Sequence, residues 1–322
     1  MRIVILDANA VNPGDLDWSA LEAIAECGIH PRTSPDQVLQ RCRDAEIVLT
    51  NKTVIDKTSI ESLPKLRYIG VLATGYNVVD LEAARARGIP VTNIPAYSTM
   101  SVAQTVFSLL LEITHGAGLH DAWVRRGGWT NHPDFCYWAF PLLELDGLTM
   151  GVLGYGNIGR QVGGIANAFG MNLIVHTRTP QPSEFPLLHY VNQEEIFRQS
   201  DVLTLHAPLT ETTKEIVNSR TLGLMKPSAV VINTGRGGLV NERDLADALN
   251  AGKIRAAGVD VLSSEPPQAA NPLLTAKNCV ITPHLGWGTV AARKRLMKTA
   301  VENIRAFMDG SPQNVVNRGV SA

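Results

Sequence analysis

Short runs of β-branched and aliphatic residues recur between stretches of helical period, at 3–6, 47–49, 68–72 and 90–92 in the first hundred residues. Strand patterns that alternate with helical ones predict a parallel sheet flanked by helices. A second series follows at 150–153, 173–175, 202–205, 230–232, 257–261 and 279–282, and predicts a second, larger parallel sheet. Between the two series, Val102, Val106, Leu109, Leu110 and Ile113 share one helical face, so 100–114 reads as a helix, with Ser98 and Ser101 as candidate caps. Residues 160–169 read as a helix after a glycine-rich turn, and 290–308 as a closing amphipathic helix. The stretch 125–141 is rich in Gly, Trp, Tyr and Phe without a clear period and reads as a long ordered loop. No internal repeat or low-complexity tract interrupts this order.

Length and composition narrow the class. A single core stops growing at roughly 250–300 residues, so a chain of 322 is expected to hold two domains. A formal net charge of −1 argues against nucleic acid or a membrane surface as partner. Cys27, Cys42, Cys136 and Cys279 form no CxxC pair or metal-ligand spacing; they read as reduced thiols, and no metal site is expected. The first apolar run stops at Asp7, too short for the core of a signal peptide, and no run approaches the roughly 20 residues of a membrane span. A cytoplasmic enzyme acting on a small molecule is the expectation.

The first chemistry-bearing motif is Gly154-Tyr155-Gly156-Asn157-Ile158-Gly159, which follows a strand run directly and opens a helix. That context makes it a dinucleotide-binding turn: Gly154 permits the tight bend, Gly156 lets the pyrophosphate approach the backbone, and Gly159 lets helix and strand pack closely. The exposed amides at the helix start, those of Asn157 and Ile158 among them, then meet the phosphates. A carboxylate about 20 residues on ordinarily binds the adenine ribose. Here Leu173-Ile174-Val175-His176 leads instead to Thr177-Arg178-Thr179, with no acid. A guanidinium suits a 2′-phosphate better than a hydroxyl pair, which favours NADP over NAD or use of both; the alternative for Arg178 is a solvated surface residue.

In a doubly wound sheet the ligand crevice lies outside the carboxyl ends of the strands. Three polar clusters follow strand runs there: Asn233-Thr234-Gly235-Arg236-Gly237-Gly238, Ser263-Ser264-Glu265-Pro266-Pro267, and Pro283-His284-Leu285-Gly286-Trp287. Carbonyl reduction needs the three side chains they carry. Arg236 can hold a substrate carboxylate with two hydrogen bonds and polarise the adjacent carbonyl. His284 can donate a proton to the developing alkoxide, and Glu265 can pair with its other ring nitrogen, orienting the ring and favouring its protonated form. Each residue alone has a bland reading as a solvated arginine, a turn glutamate or a structural histidine; their placement after three consecutive strands makes them a set. His115, His120, His132, His176, His189 and His206 lack such partners and read as structural.

With these motifs on one chain, the sequence resembles the D-isomer-specific 2-hydroxyacid dehydrogenases over nearly its whole length. The carrying segments are Gly154 to Gly159, Asn233-Thr234-Gly235-Arg236-Gly237, Gly258-Val259-Asp260-Val261 with Glu265-Pro266, and Pro283-His284. The resemblance implies catalysis by Arg236, Glu265 and His284. It implies further that Asp260 holds the nicotinamide carboxamide, that Ala207, Pro208 and Thr213 line the cofactor's ribose, and that Thr234, Gly235 and Gly286 belong to the cofactor site. Within the family the chain is similar to the glycerate dehydrogenases, also called hydroxypyruvate reductases, through Asn12-Pro13-Gly14-Asp15-Leu16, Leu49-Thr50-Asn51-Lys52-Thr53, residues 70–77 and Pro133-Asp134-Phe135-Cys136-Tyr137-Trp138. That similarity gives the Thr74 and Gly75 amides to the substrate carboxylate, with Lys52 either adding charge there or standing as a solvated lysine.

The implied fold is α/β with two doubly wound parallel-sheet domains. A Rossmann cofactor domain, 99–286, is inserted in a smaller flavodoxin-like substrate domain, 1–98 and 287–322, with substrate in a cleft between them and the last helix packed on the N-terminal sheet. The resemblance also implies a homodimer joined through the cofactor domain, with the aromatic loop 129–140 part of the contact or else an intrachain patch. The expected reaction is reduction of hydroxypyruvate, and of glyoxylate, to the D-2-hydroxy acid by NAD(P)H. Two alternatives stay open: another 2-oxo acid or small anion on the same scaffold, or a cofactor-sensing binding protein similar to the corepressors built on this fold.

Overall fold

The apolar runs of the first hundred residues line up as a five-stranded parallel sheet in a computed structural model that describes residues 1–180 and 188–318. Its strands are β1 (Arg2–Ile5), β2 (Glu26–Ile29), β3 (Ile47–Thr50), β4 (Tyr68–Val71) and β5 (Val91–Thr92), in the order β2-β1-β3-β4-β5. The second series forms a seven-stranded parallel sheet of β6 (Thr149–Leu153), β7 (Asn172–His176), β8 (Leu188–Tyr190), β9 (Val202–Leu205), β10 (Val230–Asn233), β11 (Ala256–Val259) and β12 (Cys279–Ile281), in the order β12-β11-β10-β9-β6-β7-β8. The chain divides into two compact units, Met1–Ser98 with Gly288–Ala322, and Thr99–Trp287.

In the second unit the central strands β9, β10 and β11 are buried along their whole length, as the middle of a parallel sheet requires. Leu203, Leu205 and Val231 point into one apolar layer with Phe197, Leu245 and Leu249, while Val202, Val230 and Ile232 point into the other with Val106, Leu110 and Val162. Each such side chain, taken fully out of water, contributes roughly 1.5–3 kcal/mol. The helix Thr99–His115 covers β10 and β11 and packs on the helix Asn157–Ala168. In the first unit Val4, Val48, Ile69 and Val91 form the core, and the helix Val290–Met308, capped by the Thr289 hydroxyl, lies on β4 with the Phe307 ring 4.9 Å from that of Tyr68.

Several local expectations are corrected. Ser101 is not a cap: its hydroxyl donates to the carbonyl of Gly286 at 2.6 Å, and the helix already begins at Thr99. The helix after the glycine turn starts at Asn157, three residues before the apolar period declares itself. A helix, Ala117–Arg125, precedes the aromatic stretch; none of its residues is buried, and its apolar Leu119, Trp123 and Val124 are left exposed. The sheets also gain two strands, β2 and β8. Both are edges, and their sequences Glu-Cys-Gly-Ile and Leu-His-Tyr lack the β-branched run that marks a central strand.

Candidate active site

In the second unit β7 and β8 lie on one side of β6, and β9 to β12 on the other, so the winding reverses between β6 and β9. The glycine turn sits at this switch point, where an α/β sheet opens a ligand crevice. Gly154 has φ +95°, and a Cβ on it would fall 2.5 Å from the amide nitrogen of Ala207 and 2.6 Å from the carbonyl carbon of His206. No other residue fits between those two chain segments. Gly159 meets Gly154 just as closely, whereas Gly156 faces open space. Among the described residues no side chain caps the helix Asn157–Ala168 that Gly156 begins. Uncapped amides beside an open glycine make an anion cradle, which fits the pyrophosphate of a dinucleotide. A further fit is Thr234 just beyond β10, whose buried hydroxyl has no partner among the described residues.

The other expected cofactor residues take these places. Thr213 closes the turn after Ala207 and Pro208, donating to the Pro208 carbonyl at 2.6 Å and accepting the Thr210 amide at 2.8 Å. Thr177 and Arg178 follow β7, with Arg178 exposed. The partly buried His206 ring bonds the Thr204 hydroxyl at 2.9 Å, and loss of solvent around it pushes its pKa down to about 3.

At the ends of β10, β11 and β12 the three clusters are built into one another. Asn233 folds the first loop by accepting the Gly235 amide at 3.1 Å and donating to the Arg236 carbonyl at 2.9 Å. Arg236 itself is exposed, with one guanidinium nitrogen 2.8 Å from the Gly235 carbonyl. Gly237 lies flush against the second loop, since a Cβ there would fall 2.0 Å from the Leu262 carbonyl carbon and 2.3 Å from the Ser263 nitrogen.

Asp260 organises the third loop. Its carboxylate accepts the Thr282 hydroxyl (2.6 Å) and the amides of Leu285 (2.9 Å) and Gly286 (2.8 Å), and its carbonyl accepts the His284 amide at 2.8 Å. These bonds hold His284 at φ +51°, a left-handed conformation that costs a non-glycine residue about 1 kcal/mol and persists only where surroundings enforce it. In that pose His284 Nδ1 stands 2.6 Å from Glu265 Oε2, while Glu265 Oε1 accepts the Leu262 amide at 3.0 Å. Both side chains of the pair are about one-third exposed, so the ring is held yet reachable.

In the first unit the expected residues Lys52, Thr74 and Gly75 sit on loops after β3 and β4. The Thr74 hydroxyl donates to the Ile94 carbonyl at 2.9 Å, and among the described residues the Thr74 and Gly75 amides donate to no protein acceptor. Lys52 lines a cavity of about 490 Å³ together with Asn9, Arg32 and Thr53. Sequence reasoning passed over Asp7, which anchors this region. Its buried carboxylate accepts the amides of Asn51, Lys52 and Thr53 at 2.8, 2.5 and 2.8 Å, and Asn51 in turn donates to the Leu72 carbonyl at 2.6 Å. Its signal lies in the sequence, because Asp7 ends the first apolar run, just past β1.

The profile of the D-isomer specific 2-hydroxyacid dehydrogenase NAD binding domain matches residues 107–286, more than half of the chain. The family is settled by that match. This chain is a D-isomer specific 2-hydroxyacid dehydrogenase. It is 50% identical over 322 residues to a hydroxypyruvate reductase of Blautia hydrogenotrophica, covering 99% of this chain and 100% of that one. It is 40% identical over 285 residues to a glycerate dehydrogenase of Methylorubrum extorquens, covering 88% and 89%. Its fold superposes on the NADPH-dependent glyoxylate/hydroxypyruvate reductase of Sinorhizobium meliloti, solved with citrate, with a TM-score of 0.83 at 30% identity, covering 98% and 97%. The dehydrogenase is therefore an oxidoreductase of the CH–OH class that carries an NAD(P)-binding domain. Arg236, Glu265, His284 and the glycine turn lie inside the matched domain, and Lys52, Thr74 and Gly75 outside it.

Proposed function

We propose that this dehydrogenase reduces hydroxypyruvate, and glyoxylate as a smaller substrate, to the D-2-hydroxy acid, with His284 as proton donor. The observation that carries the reading is the 2.6 Å pair of His284 Nδ1 with Glu265 Oε2, in a chain 50% identical to a hydroxypyruvate reductase. When bound, the reduced nicotinamide supplies the hydride that the carbonyl carbon accepts. Glu265 occupies Nδ1 and fixes the ring, which leaves Nε2–H to protonate the carbonyl oxygen. Arg236 holds the substrate carboxylate through two parallel hydrogen bonds and polarises the neighbouring carbonyl. In the first unit the Thr74 and Gly75 amides are assigned to substrate binding, with Lys52 adding positive charge.

The unit 99–286 is assigned to the cofactor and 1–98 with 287–322 to the substrate. Asn157, Ile158 and the glycines take the pyrophosphate; Ala207, Pro208, Thr213, Thr234, Gly235, Asp260 and Gly286 take the ribose and nicotinamide. Thr177 and Arg178, where an acid would favour NAD, favour NADPH. We place the enzyme in the cytoplasm as a homodimer joined through the second unit. Trp129, Phe135 and Trp138 are 51%, 88% and 61% exposed there, an apolar surface of the kind that marks an interface. Sedimentation at twice the chain mass supports that assembly, and a monomer at micromolar concentration refutes it. The reaction is tested by titrating NADH and NADPH against hydroxypyruvate, glyoxylate and a larger 2-oxo acid. Turnover of hydroxypyruvate with a lower KM for NADPH supports the proposal; turnover of the larger acid alone overturns it.

A further inference from the structure

Glu265 reaches His284 from an exposed stretch, residues 263–270, that contains two adjacent prolines. A single charge-assisted bond of 2.6 Å is sensitive to displacement of either partner, so something must hold this stretch still. The adjoining backbone gives part of the answer, through the Leu262 amide on Glu265 Oε1 and the close contact of Gly237. The remainder comes from Glu242, the first residue of the helix Glu242–Asn250. Its carboxylate turns away from its own helix. Oε1 accepts the Ser263 amide at 2.7 Å, and Oε2 accepts the Ser263 hydroxyl and the Asn271 side-chain amide, both at 2.8 Å. One half-buried carboxylate thus fastens both ends of the stretch that carries Glu265. The helix start has its own cap, since Asn241 Oδ1 accepts the Asp244 amide at 3.1 Å, so Glu242 is not needed for that purpose.

We propose that Glu242 is a positioning residue for the proton-donating pair, acting through Ser263 and Glu265 on the His284 ring. The inference rests on the roles proposed above for Glu265 and His284. Charges on the surrounding loops are Glu265 itself, Arg236, and Asp260, whose carboxylate is already taken by Thr282, Leu285 and Gly286. Removing the Glu242 carboxylate frees three donors at once and lets Glu265 leave Nδ1, which lowers the rate of proton donation and leaves ligand binding untouched.

The experiment is a double-mutant cycle between Glu242→Ala and Glu265→Gln, read as kcat and as KM for NADPH and hydroxypyruvate, with Glu242→Gln as the conservative variant. Glu242→Ala is expected to lower kcat about tenfold with each KM within about twofold, and to cost less than about twofold more in the Glu265→Gln background, because both changes act on one contact. Glu242→Gln keeps an oxygen for the Ser263 amide and is expected to recover most of the loss. An equal loss of kcat in both backgrounds, or a rise in KM with kcat preserved, overturns the inference while leaving the mechanism standing. Normal kcat in Glu265→Gln alone overturns the roles of Glu265 and Glu242 together.

Discussion

Gly237→Ala adds one methyl group where two functional loops touch, and its consequence can be worked from distances. The new Cβ would fall 2.0 Å from the Leu262 carbonyl carbon, 2.1 Å from its oxygen and 2.3 Å from the Ser263 nitrogen. All three are backbone atoms, so no rotamer change relieves the clash. Ordinary contact begins near 3.4 Å, so the Arg236 loop and the Leu262–Ser263 segment must separate by more than about 1 Å. That segment holds Glu265 through the Leu262 amide, and a displacement of about 1 Å at a reacting geometry can cost on the order of 10²-fold in rate. Overpacking itself costs about 1–3 kcal/mol of stability. The assay is kcat/KM for hydroxypyruvate alongside thermal unfolding and NADPH binding. A fall of about 100-fold in kcat/KM in a folded variant is expected, with weaker NADPH binding beside it, because the displaced loop also carries Thr234 and Gly235. Kinetics within twofold of wild type would show that the contact between the two loops has no bearing on the reaction.

Two further outcomes test separate parts of the account. Arg178→Ala should raise KM for NADPH by about tenfold, equivalent to about 1.4 kcal/mol, and leave KM for NADH nearly unchanged; equal effects on both would remove Arg178 from the 2′-phosphate. His206 is partly buried, its Nδ1 sealed from solvent, with a pKa of about 3, below the ordinary value near 6.5, so the unfolded chain takes up a proton that the folded chain refuses. Stability is therefore unaffected above about pH 6.5 and falls by about 1.4 kcal/mol per unit as pH drops towards 3. Denaturant unfolding at pH 7 and pH 5 should show a loss about 2 kcal/mol smaller in His206→Asn than in wild type; equal losses would place the acid sensitivity elsewhere.

Residues whose own neighbours in sequence explain them are legible in the sequence alone. The helix 290–308 was read to the residue from its period, and the central strands from apolar runs that a doubly covered parallel sheet requires. Arg236, Glu265 and His284 stand out as candidates because topology puts polar residues just past such runs at one edge of the sheet. Contacts between distant segments were not legible. Nothing near Glu242 announces that its carboxylate meets Ser263 and Asn271, and nothing near Gly237 announces Leu262 against its Cα. Asp260 was assigned to the cofactor by resemblance, whereas the structure adds that it shapes the loop displaying His284. The edge strands β2 and β8 and the helix Ala117–Arg125 escaped for a simpler reason: they bury too little to impose a pattern.

The central claim is that His284 supplies the proton for reduction of a 2-oxo acid. Its most direct test compares NADPH oxidation in the presence of hydroxypyruvate by the wild-type enzyme and by His284→Ala, with NADPH binding measured on both. The account predicts a fall in kcat on the order of 10²–10⁴ with the Kd for NADPH within about twofold. A variant that binds NADPH and turns over hydroxypyruvate at the wild-type rate would contradict it.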